Sequence, residues 1–68
     1  MKFVAPLTEA ERLTLLEARD QGPTAALRRR AQAVELSSRG DRLAAIADGL
    51  DVPRETVSGW LDRWNSQG

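Results

Sequence analysis

At 68 residues the chain is one small domain, 1–68, and surface-to-volume scaling lets it bury only about 60% of the surface its unfolded form exposes. It has 41% hydrophobic residues, no Cys, and no apolar run long enough to span a bilayer, so it reads as a soluble domain with no membrane span, disulfide framework or thiolate metal site. Ten basic residues cancel ten acidic ones, which argues against a protein that grips nucleic acid by bulk charge.

Met1 reads as a natural start, and "MKFVAPLT" has too few apolar residues before Pro6 for a secretory signal, so a cytoplasmic location is expected. Thr8 and Glu11 then stand at the spacing of a capping box, in which each side chain satisfies an orphan backbone N–H of the other. They open a predicted helix that runs to about Asp20, with Ala10, Leu13 and Leu16 as its apolar stripe and Leu15 at the margin. "DQGP" ends it: Gly22 can take a left-handed cap, and Pro23 disfavours helix in the residue before it.

Thr24 caps a second predicted helix, in which Leu27, Ala31, Val34 and Ser38 recur at helical spacing and Ala33 and Leu36 broaden the stripe. Gly40 stops it. Asp41 is the expected N-cap of a short third helix whose Leu43, Ile46, Ala47 and Leu50 share one face, and "DGLDV" turns the chain into a fourth helix opened by Pro53. In that last helix Val57, Trp60, Leu61 and Trp64 fall within an arc of about 100°, the expected core face. Asp62, Glu55, Gly59 and Ser58 lie opposite, with Arg54 at one border and Arg63 and Thr56 at the other. No strand-like alternation interrupts this, and the expected fold is all-α, a small bundle of about four helices.

The third and fourth helices, joined by a tight turn, match a helix-turn-helix unit. Ala47 is small enough to let the two helices cross closely, Leu50 and Val52 flank the turn, and Val57 and Trp60 can pack back on Ile46. Such a second helix can enter the DNA major groove with its N-terminal residues at base edges.

The runs "LTEAERLTLLEA" and "LRRRAQAVELSSRGDRLAAIADGLDVPRETVSGWLDRWNSQG" together resemble the N-terminal DNA-binding region of mariner-like bacterial insertion-sequence transposases. The likeness covers about Leu7 to Gly68 and lies in the order of a leucine-led helix, an Arg-Ala helix, a Gly, an Ile-Ala pair and a Thr-Val-x-x-Trp pattern. It implies a homeodomain-like DNA-binding fold, with a third helix from Arg42 to Leu50 and a recognition helix from Arg54 to about Asn65. It also implies a bacterial protein acting at the nucleoid. The chain departs from the family pattern at Asp51, where Gly is usual, at Ser58 and Gly59, where larger or basic groups are usual, and at Asp62, which replaces what is often a cation.

Positive charge is concentrated in the middle of the chain: residues 24 to 42 carry five Arg against Glu35 and Asp41, a net +3, between flanks of −1 and −2. Arg28, Arg29 and Arg30 sweep about 200° of a helix surface, as phosphate contacts or as a solvated charge run. Arg54, on the first turn of the recognition helix, is placed for bidentate readout of guanine, and Thr56 and Ser58 can donate to bases or phosphates. Arg42 and Arg63 complete the candidate cations. Glu55 and Asp62 repel phosphates unless they accept from a cytosine amino group or hold Arg54 and Arg63. Gly59 weakens its helix by about 1 kcal/mol relative to Ala, which a close approach of DNA or of another helix would offset. Trp60 and Trp64, beside Val57 and Leu61, read as core rather than as stacking platforms.

The carboxylates are scattered on what read as solvent faces with no nucleophile or phosphate loop beside them, so no catalytic residue, metal site, cofactor or small-molecule substrate is expected. Asp41, Asp48 and Asp51 read as caps and surface charge rather than metal ligands. The expected partner is double-stranded DNA, bound sequence-specifically by a transposase-derived module or a small transcriptional regulator, with a homodimer as the route to useful affinity. The alternative is a helical protein-interaction or dimerisation module that has lost DNA binding. Single-stranded RNA would call for exposed aromatics, which the pattern does not supply.

Overall fold

The computed structural model describes residues 3–67, with helices α1 (Glu9–Gln21), α2 (Ala25–Ser38), α3 (Leu43–Leu50) and α4 (Arg54–Gln67) and no strand among the described residues. Helix α2 is the hub: it packs against each of the other three, whereas α1 packs against α2 alone.

The expected capping box opens α1, with the Thr8 N–H donating to Glu11 Oε1 at 2.9 Å and the Glu11 N–H donating to Thr8 Oγ1 at 3.1 Å. Its buried face differs from the expected one. Leu15 is 6% exposed and Leu13 54% exposed, and Ala10 faces solvent, because α2 lies along the Leu15–Ala18 side and a helix with a single neighbour needs only one narrow apolar strip. Gly22 closes α1 in a way that corrects the left-handed cap: its φ is −58°. Glycine is needed there for room, since a Cβ would lie 2.5 Å from the Ala18 carbonyl oxygen to which the Gly22 N–H donates at 2.9 Å.

Thr24 caps α2 as expected, its Oγ1 accepting from the Leu27 N–H at 3.1 Å. Ala31, Ala33 and Val34 are buried, while Leu27 is exposed and Ser38 half-buried. A hub helix buries a wide face, and here that face includes two polar residues, Glu35 and Ser37. Glu35 corrects the reading of all carboxylates as surface groups: its side chain is 4% exposed, pairs with Arg39 Nε, and stands 3.9 Å from Arg19 Nη1 on α1. Ser37 accepts at Oγ from the Val4 N–H at 2.8 Å. Val4 is itself 3% exposed and part of the core, so the segment before α1 is a strap across the bundle. Asn65 Nδ2 on α4 donates to the Phe3 carbonyl at 3.4 Å.

Gly40, at φ 96°, ends the α2 region as expected. The N-cap of α3 is Arg42, with no side-chain capping bond; Asp41 stands one residue too early, since the cap is the residue whose carbonyl takes the first helical bond, here Arg42 to the Ile46 N–H at 3.0 Å. Asp51 adopts the left-handed conformation (φ 57°, ψ 48°) at the end of α3, and the Val52 N–H reaches back to the Ala47 carbonyl at 3.1 Å. Pro53 is the residue before α4, its carbonyl accepting from the Thr56 N–H at 3.1 Å.

The core that results is Ile46 and Ala47 of α3 against Val57 and Leu61 of α4, closed by Val34, Ala31 and Ala33 of α2. Trp60 and Trp64 pack against it half-buried, as do Leu43, Leu50 and Val52. Each such large apolar side chain taken fully from water is worth about 1.5–3 kcal/mol.

Candidate nucleic-acid interface

The packing of α3 on α4 decides what α4 presents. Ala47 is 2% exposed at their crossing and Ile46 meets the side of α4 that carries Val57 and Leu61, so the opposite side of α4 faces outward. There Leu43, Arg54, Glu55, Ser58, Gly59 and Asp62 line a shallow open depression. Four of the predicted residues are thus brought together, and Leu43, expected only as core, joins them because it sits half-buried on the first turn of α3. Its position at a helix start, where one flank stays open, is the signal that could have shown this.

Residues four apart stack along a helix face, so Arg54, Ser58 and Asp62 form one ridge and Glu55, Gly59 and Arg63 the next. At 1.5 Å per residue the distance along the axis from Arg54 to Arg63 is about 13 Å, comparable to the width of a major groove. Arg54 and Arg63 are exposed, and among the described residues neither has a carboxylate within ion-pair distance. Thr56 is half-buried at the edge of this face. Arg42 is exposed immediately before Leu43, at the start of α3. Glu55 and Asp62 make the depression mixed in charge.

The arginines of α2 are not part of this group. Arg28 Nη1 donates to the Gly22 carbonyl at 2.8 Å and so braces the α1–α2 turn. Arg30 is half-buried in a cleft with Leu15, Leu27, Val34 and Trp64, beside the C-terminal half of α4, ten residues or about 15 Å along the helix from Arg54. Arg29 is exposed.

A group of three or more His, Cys, Asp or Glu residues placed to hold a metal ion is absent among the described residues, and no helix is long and apolar enough to cross a membrane. Searches of curated proteins and of solved structures each found no match. A family model described as a homeodomain-like domain matches residues 24–68, a span that takes in α2, α3 and α4. That match covers more than half of the chain and coincides with the three helices whose last pair forms the helix-turn-helix, and the chain therefore belongs to the homeodomain-like family, a DNA-binding helix-turn-helix fold.

Proposed function

We propose that this chain binds double-stranded DNA sequence-specifically, with α4 in the major groove as the recognition helix. The observation that carries the reading is the cluster of exposed Arg54 and Gly59 with half-buried Ser58 on the outward side of α4, with Arg54 on its first turn and without a carboxylate partner among the described residues. Arg54 would read a guanine through its two acceptors, and Glu55 would accept from a cytosine amino group. Thr56, Ser58 and Arg63 would complete the face from bases to phosphates. Arg42, at the start of α3, would take a phosphate of the adjoining backbone, as the first helix of such a pair does, and Arg28, Arg29 and Arg30 would add phosphate contacts farther along the duplex. With no net charge, one copy supplies little non-specific attraction, so a homodimer on two half-sites is the form in which the module would reach nanomolar affinity. The roles that fit are an end-binding module of a transposase related to the mariner-like bacterial elements, or a small transcriptional regulator at the bacterial nucleoid, with neither enzymatic activity nor a small-molecule substrate.

Selection of bound duplexes from a random pool at about 50 mM salt, where phosphate contacts are strong, tests this. The expected result is a motif that relaxes at one or two positions when Arg54→Ala is selected in parallel. Failure of the native chain to enrich any motif overturns the reading.

A second reading, a helical protein-interaction or dimerisation module, is favoured by Glu55 and Asp62 within the same depression and by the zero net charge. Salt separates the two. Phosphate contacts give log K against log salt a slope of about −0.9 per contact, and an interface without phosphates barely responds.

A further inference from the structure

Gly59 has no internal explanation among the described residues, whereas Gly22 and Gly40 have one. Gly22 is held by the Ala18 carbonyl, and Gly40 by its positive φ. Gly49 stands one residue before the end of α3 and, like Gly59, has open space where a Cβ would lie. Gly59 lies in the interior of α4, five residues past its start and eight before its end. It is exposed, and among the described residues a Cβ built on it meets nothing within 4 Å. A glycine there loosens the helix, and among the described residues no neighbour outside α4 requires its small size.

Its direction is as telling as its emptiness. At 100° per residue Gly59 points roughly 165° away from the mean direction of Val57, Leu61 and Trp64, at the crest of α4, with Glu55 and Arg63 four residues to either side. A partner laid on this face meets the helix first at Gly59. Without a side chain the crest is lower by about the reach of a C–C bond, roughly 1.5 Å.

We propose that Gly59 is where the α4 backbone itself seats against the duplex, and that its missing side chain sets the depth at which Glu55 and Arg63, the residues four positions to either side of it, reach the duplex. The inference rests on the DNA-binding reading and adds to it a single determinant of fit. Hydrogen bonds of about 2.9 Å tolerate little displacement, so any side chain at position 59 lifts its neighbours on the same ridge off their acceptors. Stability and affinity are therefore opposed at this residue: alanine suits the helix and obstructs the groove.

The experiment uses the full chain, the duplex motif enriched by selection, and fluorescence anisotropy beside thermal unfolding. Gly59→Ala is expected to raise the unfolding midpoint by about 4 °C and to weaken binding at least about tenfold, with Gly59→Leu weaker still. Gly49→Ala, at a helical glycine that also has open space around it, is expected to bind like the native chain. A Gly59→Ala protein that is more stable and binds within about twofold of native overturns this inference and leaves the DNA reading intact. Equal losses in Gly49→Ala and Gly59→Ala also overturn it, because the effect is then not local to the crest. A native chain that binds no duplex overturns both.

Discussion

Helix α1 with its strap and the α3–α4 pair are built on opposite principles. The first is secured locally and electrostatically: a complete capping box at Thr8, a hydroxyl cap at Thr24 where it hands over to α2, a brace from Arg28 to the turn, and Arg19 beside the buried Glu35. The second has few side-chain caps among the described residues. Its α3 lacks a side-chain cap, its turn places a non-glycine residue in the left-handed region, and its α4 carries a glycine at mid-length. What holds α3 and α4 is burial of Ile46, Ala47, Val57 and Leu61 against α2. The half that belongs to the DNA-binding family unit is thus stabilised from within the bundle, and its outward side carries the exposed Arg54, Glu55 and Gly59.

The largest loss is expected in the shared core. Leu61, 0% exposed, is expected to lose about 3 kcal/mol on truncation to Ala, much of the roughly 3–10 kcal/mol available to a chain this short. Urea unfolding followed by circular dichroism would read it. The same change at Leu13, 54% exposed on α1, is expected to stay within about 0.5 kcal/mol. Equal losses at the two sites would erase the distinction.

The ion pairs of α2 come next. Arg39→Ala strands a buried carboxylate with only Arg19 at 3.9 Å and is expected to cost about 2 kcal/mol. Glu35→Gln leaves Arg39 in water and keeps an acceptor in place, so its cost should be smaller, about 1 kcal/mol. Denaturant midpoints in that order support the staple; the reverse order contradicts it.

The smallest effect has the opposite sign. Asp51→Gly relieves a Cβ in the left-handed region at the end of α3 and is expected to stabilise by about 1 kcal/mol, near 4–8 °C in the unfolding midpoint for a domain of this size. An unchanged or lowered midpoint would show that Asp51 earns its place through a contact of its side chain.

Much of the fold was legible because caps and punctuation are local. Thr8–Glu11, Thr24 and Gly40 each act within four residues, and Ile46, Ala47, Val57 and Leu61 are apolar at one clear helical spacing. Leu13, Leu15 and Leu16 were harder: three leucines within four positions spread over much of a helix surface, and only the place of α2 chooses Leu15. Val4 was missed because an extended strap has no periodicity to betray it. Glu35 read as one of the scattered surface carboxylates; it is buried with Arg19 of α1, distant in sequence, standing 3.9 Å away. On α4 the outward placement of Arg54, Glu55 and Gly59 was readable from helical angle alone, whereas Thr56 is half-buried and Arg63 lies outside the depression. The separation of Arg28 and Arg30 from Arg54 was not readable, since it depends on how far along α4 the second helix crosses.

The most direct test of the central claim is the map of backbone amide shifts when the selected duplex is added to the labelled chain. The expected map concentrates on Arg54 to Arg63 and on the start of α3 at Arg42 and Leu43, and leaves the outer face of α1 around Leu13 unmoved. A map centred on α1, or no change at saturating duplex, would contradict the assignment of α4 as the recognition helix.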